Sequence, residues 1–194
     1  MIKIFFLFTI ITTFLLSCKD INRNEVQDTF FDTKFGSSKS DLIYNFVCNG
    51  LSIETNNTVD YQDRISFEDE DEDTFSFGGF DWNYVVATCL RRQFCYIQFI
   101  AICEDLQSCK DFYYQLNLSL LTKYKLEEAP VDKVYLIDAF AAVKCKGKKS
   151  FLTVCAGSYE DEEEGEIIYI VSLEYGDEKL YKQLLRDAFV NDDI

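Results

Sequence analysis

The chain has 194 residues, of which 48% are hydrophobic and 16% aromatic, with a single proline. This composition is that of one globular domain with room for a core, and it excludes disordered and collagen-like chains. Asp and Glu number 34 against 19 Lys and Arg, which gives a net charge of −15. Because such a surface repels phosphates, the charge excludes a nucleic-acid partner.

Residues 1–17 have the pattern of an export signal. One positive charge, Lys3, precedes an apolar run from Ile4 to Leu16 that only threonines interrupt. A helix over that run spans about 20 Å, which is less than the roughly 30 Å hydrocarbon core of a bilayer. The length therefore favours a cleaved signal peptide over the alternative, a permanent transmembrane helix.

The signal ends in Leu15-Leu16-Ser17-Cys18, which resembles the bacterial lipobox. The resemblance implies diacylglycerol transfer to the Cys18 sulfur, cleavage before Cys18 and acylation of the new N-terminus. Two or three acyl chains anchor a protein to a membrane far more firmly than one. Since Lys19 stands where the inner-membrane retention signal has Asp, we expect a lipid anchor in the outer membrane, facing either the periplasm or the cell surface.

The mature chain starts with a polar segment and continues as one domain. Residues 18–34 have no steady hydrophobic period and are predicted to be a tether, and residues 35–194 are predicted to fold. Ser38 and Asp41 have the spacing of a helix cap, and Gly50 suits the end of that first helix.

Strands are predicted from Leu51 to Cys103. Phe75 and Phe77 alternate ahead of Gly78-Gly79, where a bulge or a close backbone approach is expected. Two strands rich in aromatic and β-branched residues flank Arg91-Arg92, which predicts a hairpin.

A second helix follows, with an apolar face at spacings of three and four residues. This face consists of Leu106, Cys109, Tyr113, Leu116, Leu120 and Tyr124. Further strands are predicted at about 133–145, 150–157 and 166–175. A last helix is predicted near Asp177, with an inward side formed by Leu180, Tyr181, Leu184, Leu185 and Ala188.

The element order predicts an α+β fold: an antiparallel sheet with helices packed on one face. The two halves, about 35–104 and 105–194, have similar layouts. Each half begins with a helix and contains a strongly apolar strand, Tyr96–Ile102 or Ile167–Leu173. We therefore consider tandem half-repeats.

Four short stretches carry a family resemblance. They are Phe35-Gly36-Ser37-Ser38-Lys39-Ser40, Phe77-Gly78-Gly79-Phe80, Leu121-Thr122-Lys123-Tyr124 and Ile170-Val171-Ser172-Leu173-Glu174-Tyr175. With them the chain resembles small Bacteroidota lipoproteins of unknown function. Those proteins have a fold like the β-lactamase-inhibitor protein and the small lipoprotein of the outer-membrane assembly machine. The resemblance implies that fold and an envelope location.

The sequence offers no catalytic constellation. Histidine is absent, which removes Ser-His and Cys-His nucleophile activation and the commonest metal ligand. Seven cysteines remain besides Cys18, and none forms a C-x-x-C pair. We expect most of them to be small buried residues, while disulfides stay an alternative in an oxidising envelope. We predict no catalytic residue, no cofactor and no metal ligand.

Two acidic runs, Glu68 to Asp73 and Glu160 to Glu164, are the remaining candidates for cation binding. A calcium loop needs a glycine turn among its acids, as in D-x-D-x-D-G. Neither run has that glycine, so both are expected to be solvated loops.

Aromatic residues cluster near Gly78-Gly79. Core packing is one explanation for them, since aromatics dominate protein cores. The other is an exposed surface for a protein or glycan partner. The residues proposed for that surface are Phe77, Phe80, Trp82 and Tyr84.

Three functions are weighed from these observations. The first is a lipid-anchored module in the cell envelope that binds a partner protein through its sheet. The second is a role in envelope assembly or structure, and the third is a hydrolase that uses a pair of carboxylates. The anchor and the lack of catalytic residues favour the first, a non-enzymatic binding protein.

Overall fold

The computed structural model describes residues 25–59, 62–69, 72–129, 138–160 and 165–191, and the signal, Cys18 and the start of the tether lie outside them. Three helices are described: α1 (Lys39–Cys48), α2 (Leu106–Leu121) and α3 (Glu178–Asn191). The strands are β1 (Thr29–Phe30), β2 (Thr33–Lys34), β3 (Leu51–Val59), β4 (Gln62–Asp69), β5 (Phe75–Phe77), β6 (Phe80–Trp82), β7 (Tyr84–Leu90), β8 (Gln93–Cys103), β9 (Glu127–Glu128), β10 (Asp138–Lys146), β11 (Ser150–Glu160) and β12 (Ile167–Asp177).

Eight strands form one antiparallel sheet in the order β3-β4-β7-β8-β12-β11-β10-β9. The predicted α+β fold is confirmed. The first predicted half, residues 35–104, supplies the four neighbouring strands on one side, and the second half supplies the four on the other. The halves meet where β8 pairs with β12, from Tyr96 opposite Gly176 to Cys103 opposite Tyr169.

Side chains alternate between the two faces of each strand, so the register assigns every residue to one face. One face, which we call the covered face, carries the main core. Leu42 and Phe46 of α1 and Leu116 of α2 pack there against sheet residues such as Phe99 and Leu173. These helices have the expected caps, since Ser38 Oγ accepts from Asp41 N at 3.1 Å and Asp105 forms a capping box with Ser108.

The prediction that the helices pack on one face needs a correction, because α3 packs on the opposite face. Leu184 of α3 forms a second, smaller buried cluster with Leu90 and Cys95. Tyr181 stacks on Tyr96, with ring centroids 5.1 Å apart and an interplanar angle of 22°. The sequence of β8 explains this arrangement. Phe94 and Ile97 point to the covered face, and Cys95 and Tyr96 point to the opposite face. Each face of the strand therefore offers apolar side chains against which a helix can pack.

The prediction that Leu185 faces inward on this last helix is also wrong. Leu185 is exposed, whereas Leu184 is buried as predicted. The side chain of Ala188 lies outside the described residues.

The β7–β8 hairpin turns on two residues, as predicted. Arg91 and Arg92 both have positive φ, 48° and 65°, which is the geometry of a two-residue turn between twisted strands. Cys89 is paired with Phe94, and a bulge follows because Thr88 is paired with Tyr96. Cys89 and Cys95 therefore do not face each other, and they belong to different core clusters.

The predicted tether is shorter than residues 18–34. Its described part, residues 25–34, packs on the covered face, where Val26 and Phe30 are buried. The Phe30 ring contacts Tyr175, with centroids 4.9 Å apart, and Ser150 Oγ donates to Val26 O at 2.8 Å. The sequence does not predict this packing, because Val26, Phe30 and Phe31 are too few and too irregularly spaced to give a periodic signal.

Candidate functional site

In the aromatic cluster near Gly78-Gly79, Trp82 is buried and does not belong to an exposed surface, while Phe77 and Phe80 are partly buried against the core. Trp82 is 0% exposed, and its Nε1 donates to Phe77 O at 3.0 Å. Phe77 stacks on Phe99 at 4.2 Å with an interplanar angle of 9°. Phe80 contacts Phe112 of α2 at 5.5 Å. The small β5–β6 hairpin folds over the covered face, so these rings bind the sheet and α2.

Tyr84 is the exception, since the register places it on the other face. It is directly opposite Ile100, and Val86 is opposite Gln98 on the same face. This face belongs to the central strands β7, β8, β12 and β11. In the described part of the chain, its buried apolar cluster is confined to the end where α3 packs. We call the remainder, away from α3, the open face.

The open face has an apolar centre. Ile102 is paired with Ile170, and Ile100 with Ser172; Ile102 is 43% exposed. The large partly exposed side chains of this patch are Tyr84, Ile100, Ile102, Ile168 and Ile170. Apolar patches of neighbouring residues on a sheet face are typical of interaction surfaces.

A polar group lies between this patch and α3. Glu174 is opposite Gln98, and its Oε1 accepts from Gln98 Nε2 at 3.3 Å and from Ser172 Oγ at 3.1 Å. The hydroxyl of Tyr96 is a further hydrogen-bond partner of Glu174. Burial raises the pKa of Glu174, because the charged carboxylate is poorly solvated there.

Glu174 is the only carboxylate that the register places on this face of β7, β8, β11 and β12. A glycoside hydrolase needs two carboxylates that flank the scissile bond. These four strands therefore do not supply the pair that the hydrolase alternative requires. Among the residues that the structure describes, no three His, Cys, Asp or Glu side chains are grouped to hold a metal ion.

Acidic residues border the apolar patch at its far end. Glu104 follows β8 and Glu166 precedes β12, whereas Glu160, which ends β11 opposite Ile167, has the register of the covered face. These strand ends are neighbours in the sheet, because β8 and β11 flank β12. The rest of the acidic run that begins at Glu160 lies outside the described residues, as does the middle of the run from Glu68 to Asp73.

Sequence reasoning missed the open face, although its signal is present. Tyr96–Ile102 and Ile167–Leu173 are apolar at almost every position instead of at alternate positions. A strand of this kind is usually buried on both faces. Here α2 and the β5–β6 hairpin cover one face of these strands, and the other face is partly exposed beyond α3.

No cysteine in the described part of the chain forms a disulfide. Cys89, Cys95, Cys109 and Cys145 are buried, as expected for most of them, while Cys48 is exposed. Burial raises the pKa of Cys89 and Cys95 to about 12, so both thiols stay protonated and unreactive near neutral pH. Cys145 is paired with Leu152, so it does not face Cys155.

No helix in the described ranges is long and apolar enough to cross a bilayer. No family model, curated protein or solved structure matches the chain, so these comparisons assign it to no family.

Proposed function

We propose that this protein is a lipid-anchored module of the cell envelope that binds a partner protein through the open face of its sheet. The observation that carries the proposal is the apolar patch around Ile100, Ile102 and Ile170. A folded domain gains stability by burying such side chains, at roughly 25 cal/mol per Å² of apolar surface removed from water. A surface that keeps three isoleucines together and partly exposed is suited to burial by a partner.

The surrounding charge specifies the chemistry of the partner. Glu104 and Glu166 border the patch, and the whole chain carries a net charge of −15. A partner with an apolar centre and a basic rim complements this surface, and complementary charge accelerates encounter and selects the partner. Nucleic acid is a poor candidate because the same charge repels phosphates.

The sequence supports the membrane part of the proposal. The lipobox-like Leu15-Leu16-Ser17-Cys18 would leave the domain on a short acylated linker. Since residues 25–34 pack on the covered face, only the six residues 19–24 would separate the lipid-bearing Cys18 from the fold. Such a linker would hold the domain close to the outer membrane, where the open face would meet other envelope proteins.

Site-specific photo-crosslinking in the native host tests the binding face. A photoreactive amino acid at Ile102 is expected to capture a discrete partner, and the same probe at Tyr114 serves as the matched control. Tyr114 is 59% exposed on α2, on the other side of the molecule. Ile102→Glu should abolish capture by a probe at Tyr84. Equal products from positions 102 and 114, or none from either, would reject the binding face.

The lipid anchor is tested independently, by the intact mass of the protein purified from its native membrane. We expect a chain that begins at Cys18 and carries acyl chains. A chain that retains Met1, or one cut elsewhere without lipid, would refute the anchor without deciding the binding face. If deletion of the gene lowers the level of outer-membrane barrel proteins, the partner belongs to envelope assembly.

A further inference from the structure

Two cysteines that sequence spacing does not pair are brought together where β8 ends and α2 begins. Cys103 is opposite Tyr169 in the β8–β12 ladder. Cys109 lies in the first turn of α2, and its Sγ is 3.4 Å from the carbonyl oxygen of Ile170, the next residue of β12. Both side chains therefore lie against neighbouring residues of β12 on the covered face, close enough for each thiol to shift the pKa of the other. The capping box at Asp105 fixes the helix start that turns the chain back on itself.

We propose that Cys103 and Cys109 are a redox-active pair that forms a reversible disulfide by thiol–disulfide exchange. The inference is independent of the proposed function, because it uses only the contact between these two side chains. The spacing of six residues spans the end of a strand and the first helical turn. No C-x-x-C motif is needed when the fold supplies the contact.

The two thiols have different roles in the exchange. Cys103 is partly exposed, whereas Cys109 is buried. The hydrogen bond from Cys109 lowers the pKa of Cys103 because it stabilises the Cys103 thiolate, and the same contact raises the pKa of Cys109. The thiolate is the nucleophile in exchange. Cys103 is therefore the attacking cysteine and Cys109 the resolving one.

The reaction balances with an external disulfide as the oxidant. The Cys103 thiolate attacks one sulfur of that disulfide, forms a mixed disulfide and releases the other half as a thiolate. Cys109 then loses its proton to water, attacks the Cys103 sulfur and releases the second half. The two cysteine thiols are oxidised to one disulfide, and the external disulfide is reduced to two thiols.

The other cysteines provide controls. Cys48 is exposed but has no thiol partner among the described residues with which it could resolve a mixed disulfide. Cys89 and Cys95 belong to different core clusters on opposite faces of the sheet. Of the cysteines whose pKa is shifted, Cys103 is the one whose pKa is lowered.

The test uses the full folded chain, equilibrated with glutathione disulfide and then alkylated. In the wild type and in Cys48→Ser, peptide mapping should find Cys103 linked to Cys109 and both protected from alkylation. Reduction with dithiothreitol should restore both thiols. In Cys109→Ser the reaction should stop at the mixed disulfide, with one glutathione retained on Cys103. In Cys103→Ser, Cys109 should stay reduced and unmodified.

The wild-type map decides the matter even if a serine variant folds poorly. Cys103 and Cys109 both alkylated after equilibration, while glutathione is bound to Cys48, would overturn the proposal. Linkage of either cysteine to a different partner in the folded protein would overturn it as well. Retention of the native circular dichroism spectrum after oxidation separates formation within the fold from oxidation of unfolded chains.

Discussion

Gly176 is the position where one added methyl group should have the most readily interpreted effect. It is the last residue but one of β12, close to the start of α3, and it lies opposite both Tyr96 and Phe151. A Cβ at this position would lie 2.5 Å from Phe151 Cε1, and it would also overlap Cζ of the same ring. Ordinary contact begins at 3.4 Å, so the Phe151 ring would have to move by about 1 Å.

The Phe151 ring cannot move without a cost to the packing of α3. It contacts Tyr181 at 5.0 Å, and Tyr181 in turn stacks on Tyr96. Overpacking of this kind costs about 1–3 kcal/mol. Gly176 has no positive φ, so an alanine there also restricts the unfolded chain, which stabilises by about 0.4–1 kcal/mol. We expect Gly176→Ala to lower the free energy of unfolding by about 1–2 kcal/mol.

Removal of the ring should reverse the sign of the effect. In a Phe151→Ala background the clash is absent, so Gly176→Ala should raise the free energy of unfolding by about 0.4–1 kcal/mol. Urea denaturation of the four proteins, followed by far-UV circular dichroism, measures the coupling between the two sites. If Gly176→Ala destabilises both backgrounds equally, the contact with Phe151 is not the cause and the reasoning is wrong.

Three further substitutions test the ion pair, the buried carboxyl and the hairpin turn. Lys39 Nζ lies 2.6 Å from Asp63 Oδ1, and both side chains are largely buried. Asp63→Ala should therefore lower the free energy of unfolding, measured by urea denaturation, by about 2–3 kcal/mol. A loss below about 0.5 kcal/mol would contradict this. Burial acts to raise the pKa of Asp63, but the hydrogen bonds and charge of Lys39 outweigh it and the pKa is lowered; the pair should therefore stabilise above the usual carboxyl pKa and lose its effect as the pH falls through the lowered value. The raised pKa of Glu174 gives the opposite pH dependence, because the wild type loses stability as the pH rises from 4.5 through the raised value. Glu174→Gln should therefore gain stability relative to the wild type between pH 4 and pH 8. A stability difference that stays constant over this range would refute the prediction. Arg92 has φ 65°, a conformation that favours glycine, so Arg92→Gly should stabilise by about 0.5–1 kcal/mol in thermal unfolding, whereas destabilisation would show that the arginine makes a compensating contact.

The local elements and the class of fold can be predicted from the amino-acid sequence. Ser38 with Asp41 and the apolar spacing from Cys109 to Leu120 specify helices, because a cap and a 3.6-residue period are local signals. The Arg91-Arg92 hairpin was predictable for the same reason, since turn and strands are adjacent in the chain. Alternation of helices and strands then restricts the architecture to a sheet covered by helices.

The face of the sheet that each element covers becomes known only from the folded structure. Trp82 and Ile102 are both large apolar residues, and nothing local separates the buried one from the one that is 43% exposed. The one-residue bulge at Cys95 sends neighbouring β8 side chains to the face that α3 covers, and a one-residue shift reverses the face of every residue that follows. The contact between Cys103 and Cys109 likewise depends on where α2 is placed against β12. Such placements are set by contacts between residues far apart in the chain, which a single sequence does not record.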